Sequence, residues 1–440
     1  MQILKKIIVF ILTVESRLII KKYKPFIIAV TGSVGKTATK DAIFCALKTS
    51  GFVRKSEKSL NSEIGLPLTI IGVPNAWKSL SGWVNNIHAG ASLIMKRKAY
   101  PDTLVLEIGA DHPGDIRRVT KWLHPDIAVM TKVGDKPVHV EFFTSPTQVF
   151  EEKSFLACAV KKGGSLVLFA DEPKIVKLGE KLRQKDMSVS TFGFGEESSV
   201  RGTDYLVSYE DKNGARIPLG FSFNINLNDR GELKKFPIDV KGIIGTTFMY
   251  PILAGIAVAQ LKGLPIDKAI ENISKYEAPK GRMNIISGIN NSVIIDDTYN
   301  SSPDAVSAAI EALKSLDSTG KKIAVLGDMM ELGSYSAGEH RNIGKIIQYS
   351  ASVLVTVGPR ATAIADEAVI NGMSKEKVFS YSSSIEAGEA ISKIVGAGDV
   401  VLIKGSQSVR MERITKMLMA DPSQAEKLLV RQEKEWLDKA

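Results

Sequence analysis

The stretch from Phe26 to Lys48 constrains the fold more than any other part of the chain. It is a run of mostly apolar residues, FIIAVT, then the turn Gly32-Ser33-Val34-Gly35, then thirteen residues with neither proline nor glycine. That order reads as strand, tight turn, helix. The segment Thr31-Gly32-Ser33-Val34-Gly35-Lys36-Thr37 spans the junction. Backbone N–H groups in such a turn, with the N-terminus of the helix behind them, form a cradle for phosphate oxygens. Lys36 can reach the outer phosphates of a bound nucleotide, and the Thr37 hydroxyl can bind Mg²⁺. The strict form of the loop has glycine five positions before Gly35, where this chain has Val30, so it is a shortened variant with Gly32 in that part.

A loop of this kind belongs at the end of a strand in a parallel sheet, and the following sequence keeps that rhythm. Residues 104–108 and 127–133 read as buried strands, 147–160 as a helix and Ser165–Phe169 as a strand. Between residues 200 and 242 the texture changes. Residues 205–209 and 221–227 alternate as antiparallel strands do, with Asp211, Asn213 and Gly214 marking a turn. A helix at 250–261 follows, then a boundary near 279–282. The α/β pattern restarts with strands at 292–296, 322–326, Val353–Val357 and 400–403, and helices between them such as 303–316. Residues 423–438 read as a charged helix.

Leu104-Val105-Leu106-Glu107-Ile108-Gly109 puts a carboxylate at the end of a buried strand. In a parallel sheet that end faces the phosphate loop, so Glu107 is placed to hold a metal ion. His139 in a loop and Lys153 on a helix say little by themselves. Only two cysteines are present, Cys45 and Cys158, which excludes a disulfide framework and suits a reducing, cytoplasmic compartment.

The net charge of +10 gathers at Lys5, Lys6, Lys21, Lys22, Lys24 and Lys96-Arg97-Lys98. It fits anionic small molecules or a membrane surface. No aromatic-basic array or zinc-finger spacing accompanies it, so no nucleic-acid partner is expected. Lys5 and Lys6 precede an apolar run at 7–12 in the manner of a signal peptide, but Glu15, Ser16 and Arg17 follow in place of a small-residue cleavage site. The run is too short to span a bilayer. Leu4, Ile7, Ile8, Ile11, Val14, Leu18 and Ile19 recur at helical spacing, so residues 1–24 are expected to form an amphipathic helix. In 75–98, Leu80, Trp83, Val84, Ile87, Ala91 and Ile94 mark a second helical face. These two helices pack on each other or meet a membrane surface or a protein partner, which would make the protein peripheral at the membrane.

Several short motifs recur in a telling order: the shortened phosphate loop, Asn61-Ser62-Glu63-Ile64-Gly65, Glu107-Ile108-Gly109-Ala110-Asp111-His112 and Gly281-Arg282. Asp296-Asp297-Thr298-Tyr299-Asn300, Gly327-Asp328-Met329-Met330-Glu331-Leu332-Gly333 and Lys404-Gly405-Ser406 follow. In this order they resemble the Mur ligase family, and within it the branch that adds a D-Ala-D-Ala-type dipeptide. The resemblance implies an α/β fold: a P-loop-type central ATPase domain with a mainly parallel sheet, followed by a Rossmann-like doubly wound C-terminal domain. The divisions would be the helix at 1–24, a central ATP-binding domain at 25–282 with an inserted helix about 75–98 and a β excursion about 200–242, and the C-terminal ligase domain at 283–440.

The resemblance also implies chemistry. ATP activates a carboxylate as an acyl phosphate, and an amino acid or dipeptide amine attacks it to form an amide on a peptidoglycan-precursor-like peptide. Gly32, Ser33, Val34, Gly35, Lys36 and Thr37 would cradle the nucleotide, with Arg282, Asp297, Tyr299 and Asn300 reaching it from the C-terminal side. Thr37 and Glu107 would hold one Mg²⁺; Glu107, His139 and a carbamylated Lys153 would hold a second. The catalytic set would be Lys36, Glu107, His139 and Lys153. Two other readings stand beside this one, a poly-amino-acid ligase of the polyglutamate type and a degenerate nucleotide-binding scaffold.

Three departures from the family pattern bear on the substrates. About 25 residues precede the first strand, where the family carries a domain that grips a UDP-sugar. The family's Gly-x-His-Asn-x-x-Asn run near the adenine is here Gly245-Thr246-Thr247-Phe248-Met249-Tyr250-Pro251, in which Phe248 could stack on a base. The helix at 75–98 is an insertion. Together they predict an acceptor other than the usual soluble UDP-muramoyl peptide, or one presented by a second protein.

Overall fold

The computed structural model describes residues 2–57, 60–77, 79–135, 140–184, 187–212, 214–229 and 231–437. The first sheet is built from β1 (Phe26–Thr31), β2 (Val53–Lys55), β3 (Thr103–Glu107), β4 (Ile127–Met130), β5 (Ser165–Phe169), β6 (Ser188–Gly193), β7 (Val200–Lys212), β8 (Ala215–Asp229) and β9 (Glu232–Lys241). Its nine strands run in the order β2-β3-β1-β4-β5-β6-β7-β8-β9. Pairing is parallel from β2 to β7 and antiparallel from β7 to β9. The parallel part follows from composition: β3 and β4 are buried at every position, as strands covered on both faces must be. The antiparallel part is the excursion expected at 200–242, and its outer strand β9 alternates between exposed and buried positions over its second half.

The second sheet holds β10 (Asn284–Ser287), β11 (Val293–Asp297), β12 (Lys322–Gly327), β13 (Val353–Val357), β14 (Val378–Tyr381) and β15 (Val400–Lys404) in the order β10-β11-β15-β12-β13-β14. Only β10 pairs antiparallel. The strands β2, β6, β10 and β14 are absent from the sequence reading because β2, β10 and β14 are only three or four residues long and β6, SVSTFG, is mostly small and polar, so none gives a clear apolar run. The expected α/β class, a large mainly parallel sheet and a second doubly wound one, is the architecture observed.

The remaining elements place these sheets. α2 (Lys36–Ala46) starts at the Gly32–Gly35 turn and packs on the helix Met249–Leu261, which is buried at ten of its thirteen positions. α1 (Gln2–Tyr23) lies against α3 (Gly65–Ile71) and α4 (Leu80–Met95). The expected face of α1 is split. Ile8, Leu12 and Ile19 are buried with Glu15 and Ser16, whereas Leu4, Ile7, Val14 and Leu18 are exposed. α1 is apolar on two sides, so periodicity cannot say which side meets the protein. On α4, Trp83, Asn86 and Gly90 are buried while Leu80 and Val84 face out.

The charged helix expected at 423–438 does not form as one element. Short turns at Pro422–Gln424, Ala425–Leu428 and Lys434–Leu437 replace it, with Arg431 at φ +58 between the last two. The reason is local: the Arg431 guanidinium donates to the Thr298 and Tyr299 carbonyls and to Glu412, which pins an irregular strap across the loop after β11. Among the described residues no helix is long and apolar enough to cross a membrane.

Candidate active site

β1 delivers the chain to a close approach. Thr131 N donates to Thr31 O at 2.9 Å, and Gly32 sits at φ +143 directly beside Thr131. A Cβ on Gly32 would lie 1.9 Å from Thr131 Oγ1, so no larger residue fits without moving the loop. Gly35, at φ +82, turns the chain into α2; its surroundings are open, so its backbone conformation alone calls for glycine. Ser33 N and Val34 N donate to Lys132 O at 2.9 and 3.1 Å, which closes the loop onto the segment after β4. Lys36 Nζ folds back on Ser33 O at a long 3.3 Å, leaving most of its hydrogen-bonding capacity for an anion.

Glu107 ends β3, the strand beside β1, and only 1% of it is exposed. Its Oε1 accepts from Thr37 Oγ1 at 3.2 Å and Asn61 Nδ2 at 3.1 Å. Its backbone N–H donates to Ser56 Oγ at 3.1 Å. Oε2 has no hydrogen-bond partner, and the nearest cation is Lys40 Nζ at 3.7 Å. A buried carboxylate oxygen left this way is costly, and a divalent cation between it and the Thr37 hydroxyl would satisfy it. Among the described residues no three His, Cys, Asp or Glu side chains converge on a metal position. One carboxylate and one hydroxyl instead match Mg²⁺, which keeps waters and phosphate oxygens in its shell.

Lys153 lies on the helix Pro146–Cys158 and is 2% exposed. Burial, and then the Lys36 charge, push its ammonium down to about 7 against the pull of Asp111 and Glu152. Lys36 is itself held below the usual lysine range, chiefly by burial; Glu107 and Asp111 oppose this and Arg282 adds to it. Lys153, Glu107, Asp111 and Arg282 therefore all lie within electrostatic reach of Lys36. Glu152 fastens the arrangement by accepting from the backbone of Gly114, Ile116 and Arg117 at 2.9, 2.7 and 3.0 Å. His139 lies outside the described residues.

The second sheet brings up the opposite wall. Arg282 follows Gly281 at φ +68, and its guanidinium sits 4.3 Å from the centre of the Tyr299 ring. Tyr299 N donates to Gly281 O at 3.1 Å, so the two segments are locked together. Asp297 and Lys404 end neighbouring strands, and Lys404 Nζ donates to Asp297 Oδ2 at 2.6 Å and Asn300 O at 3.0 Å. Asn300 Oδ1 accepts from Ser301 N at 2.9 Å. Asp297 and Asn300 are thus tied to their own domain, and Arg282 is the member whose charge reaches Lys36. Lys132 Nζ pairs with Asp304 Oδ2 at 3.1 Å, joining the segment behind the phosphate loop to the helix Pro303–Ser315.

Phe248 does not present a stacking face. It is 7% exposed and belongs to the hydrophobic core at the start of the helix Met249–Leu261. Tyr250 has the ring company instead, stacked on Phe194 at 4.2 Å and edge-on to Phe169. The sequence reading gave no role to Asn61, Lys40, Lys404 or Arg431. Asn61 and Lys404 lie in motifs already noted, and Lys40 stands one helical turn after Lys36. Nothing in the sequence signals Arg431.

Comparison with known proteins agrees with this geometry. Residues 30–259 match the Mur ligase middle domain and residues 281–407 the Mur ligase glutamate ligase domain. The chain is 28% identical over 396 residues to the UDP-N-acetylmuramoyl-tripeptide–D-alanyl-D-alanine ligase of Bacillus subtilis, covering 90% of this chain and 76% of that one. Its fold is similar to the MurF ligase of Thermotoga maritima crystallised with ADP, at TM-score 0.74 and 26% identity over 96% of this chain and 84% of the other. A MurF from Acinetobacter baumannii shares the fold at TM-score 0.74 and 22% identity, over 93% of this chain and 80% of the other. The chain belongs to the Mur ligase family, whose members are ATP-dependent amide ligases.

Proposed function

We propose that this ligase spends ATP to join a D-Ala-D-Ala-type dipeptide to the terminal carboxylate of a peptidoglycan-precursor peptide, with the divide between its two catalytic domains at Arg282. The observation that carries the proposal is the meeting of Lys36, Thr37 and the half-satisfied Glu107 carboxylate at the ends of β1 and β3. In this reading Gly32 to Thr37 hold the phosphates. Lys36 draws charge from the γ-phosphate while the acceptor carboxylate attacks phosphorus and the bond to the β-phosphate oxygen breaks, giving ADP and an acyl phosphate. The dipeptide amine then attacks the acyl carbon, loses a proton and expels phosphate.

Thr37 and Glu107 would hold one Mg²⁺, and Glu107 and Lys153 a second together with His139; bound there, the ions would offset phosphate charge. Lys153 would serve as a carbamate. Its lowered affinity for protons leaves about half of it a neutral amine at neutral pH, and that form can add CO₂ with loss of a proton to become an anionic oxygen ligand. Arg282 and Tyr299 form the wall toward the nucleotide from the second domain. Asp297 and Asn300 act behind them through Lys404. Closure of the domains keeps water from the acyl phosphate.

The test is phosphate release by the purified chain with Mg²⁺ and ATP. Release that needs both a muramoyl-tripeptide acceptor, offered with and without its UDP group, and D-alanyl-D-alanine, and that disappears in Lys36→Ala, supports the reading; turnover with the UDP form alone would remove the expectation of an unusual acceptor. Release with glutamate as the only effective amine would favour a poly-amino-acid ligase. Nucleotide binding without turnover under any pairing would favour a scaffold.

A further inference from the structure

We propose that the outer face of α1 and α4 docks the enzyme on an anionic lipid surface. The two helices lie side by side. A Cβ on Gly90 would sit 2.2 Å from Glu15 Oε2, and Lys22 Nζ donates to the carbonyls of Leu93, Ile94 and Lys96 at 2.8 to 2.9 Å. Each helix buries one stripe and leaves a second, apolar one outside. On α1 the outer stripe is Leu4, Ile7, Val14 and Leu18 at spacings of three, seven and four, with Phe10 beside it at 69% exposure. On α4 it is Leu80, Val84 and Met95, exposed by 65%, 54% and 76%. From Leu4 to Leu18 the stripe runs about 21 Å along the helix at 1.5 Å per residue, far more than a stray surface hydrophobe.

Charge selects the occupant. Residues 1–24 and 75–98 carry ten lysines and arginines against one acid, Glu15, and so hold nine of the ten units of net positive charge. Glu15 is buried between the helices, so neither segment carries an exposed acidic side chain. Lys6, Arg17 and Lys21 run along α1 on the line of Phe10, next to the apolar stripe, and Lys24 and Lys96-Arg97-Lys98 gather at the far end. All seven are exposed, and among the described residues none is in an ion pair. An apolar stripe flanked by cations is what an anionic headgroup layer accommodates, with side-chain tips at the phosphates and the stripe among the upper acyl carbons. A second copy of the chain would bring like charges together. Since no described helix can span a bilayer, the attachment is interfacial. Lys5 lies 3.7 Å from Glu63, so the docked helix starts beside the loop whose Asn61 holds Glu107. The membrane contact and the catalytic carboxylate therefore share one structural unit.

Flotation of the full chain with vesicles tests the proposal, comparing mixed phosphatidylglycerol and phosphatidylcholine with phosphatidylcholine alone. Binding is expected only to the anionic vesicles. Each of Lys21→Ala and Lys24→Ala should weaken it about fivefold. Phe10→Asp should abolish it while phosphate release and the thermal midpoint stay unchanged, since the ring is already outside. Absence of flotation, equal flotation with both lipids, or flotation that survives Phe10→Asp would overturn the proposal. So would a dimer in sedimentation velocity that Phe10→Asp turns into monomer, because a second copy would then own the face.

Discussion

Glu15 offers a quantitative test of how α1 is held. Burial between α1 and α4 pushes its carboxyl from 4.5 up to about 7, and Oε2 has no hydrogen-bond partner. The folded protein therefore holds a proton there that the unfolded chain releases. Between pH 4.5 and 7 the unfolded state binds fewer protons than the folded one, so this residue's contribution falls as pH rises. The rise from 4.5 to about 7 corresponds to roughly 3 kcal/mol. Water reaching the seam of a two-helix pair screens part of that, leaving roughly 1–2 kcal/mol at pH 8. Glu15→Gln keeps the shape and removes the ionisation. Thermal or urea unfolding of parent and variant from pH 5 to pH 8 should give stability curves that diverge, with the variant gaining about 1–2 kcal/mol relative to the parent across the range. Hydrogen exchange of α1 should slow in the variant at pH 8 and hardly change at pH 5. Parallel curves, or a parent that gains on the variant as pH rises, would refute the argument that this carboxyl is buried without a counter-charge.

Other outcomes follow from single contacts. Asn61→Ala removes a hydrogen bond to the buried Glu107 carboxylate, worth about 1.5–3 kcal/mol, so steady-state phosphate release should fall roughly ten- to a hundredfold and unfolding should show a loss of stability in the same range. Gly32→Ala places a methyl group on Thr131 Oγ1, and titration calorimetry should show ADP affinity lost before the fold is. Arg431→Ala strips Glu412 of one of its two buried arginines and frees the Thr298 and Tyr299 carbonyls. Unfolding should then show a loss of about 3 kcal/mol, accompanied by a raised KM for ATP. A Lys404→Met variant should lose activity while keeping nucleotide binding by the first domain, because it releases Asp297 and Asn300 rather than the phosphate loop.

The meeting of the Gly32–Gly35 turn and Glu107 was readable in the sequence for one reason. A strand end fixes both position and direction, so a turn with glycines and a carboxylate on the neighbouring strand must face the same side. The two sheets were readable because their central strands are continuous apolar runs. What escaped the sequence was of another kind. The Asn61 bond to Glu107 spans 46 positions and the Arg431 strap more than 130, and no local pattern announces such contacts. Phe248 was misread as a stacking ring because an aromatic residue in a binding-site motif looks the same whether its ring points inward or out. The stripes on α1 show the limit of periodicity itself: it counts apolar faces without saying which one the protein covers.

The central claim is that phosphate rests on the Gly32–Thr37 turn with a divalent ion held by Thr37 and Glu107. Diffraction from crystals grown with a non-hydrolysable ATP analogue and Mn²⁺ tests it directly, through the anomalous signal of the metal. The account predicts a peak in coordination contact with Glu107 Oε2, Thr37 Oγ1 and a phosphate oxygen, with Lys36 Nζ on the γ-phosphate. A nucleotide bound elsewhere, or manganese with no contact to Glu107, would contradict it.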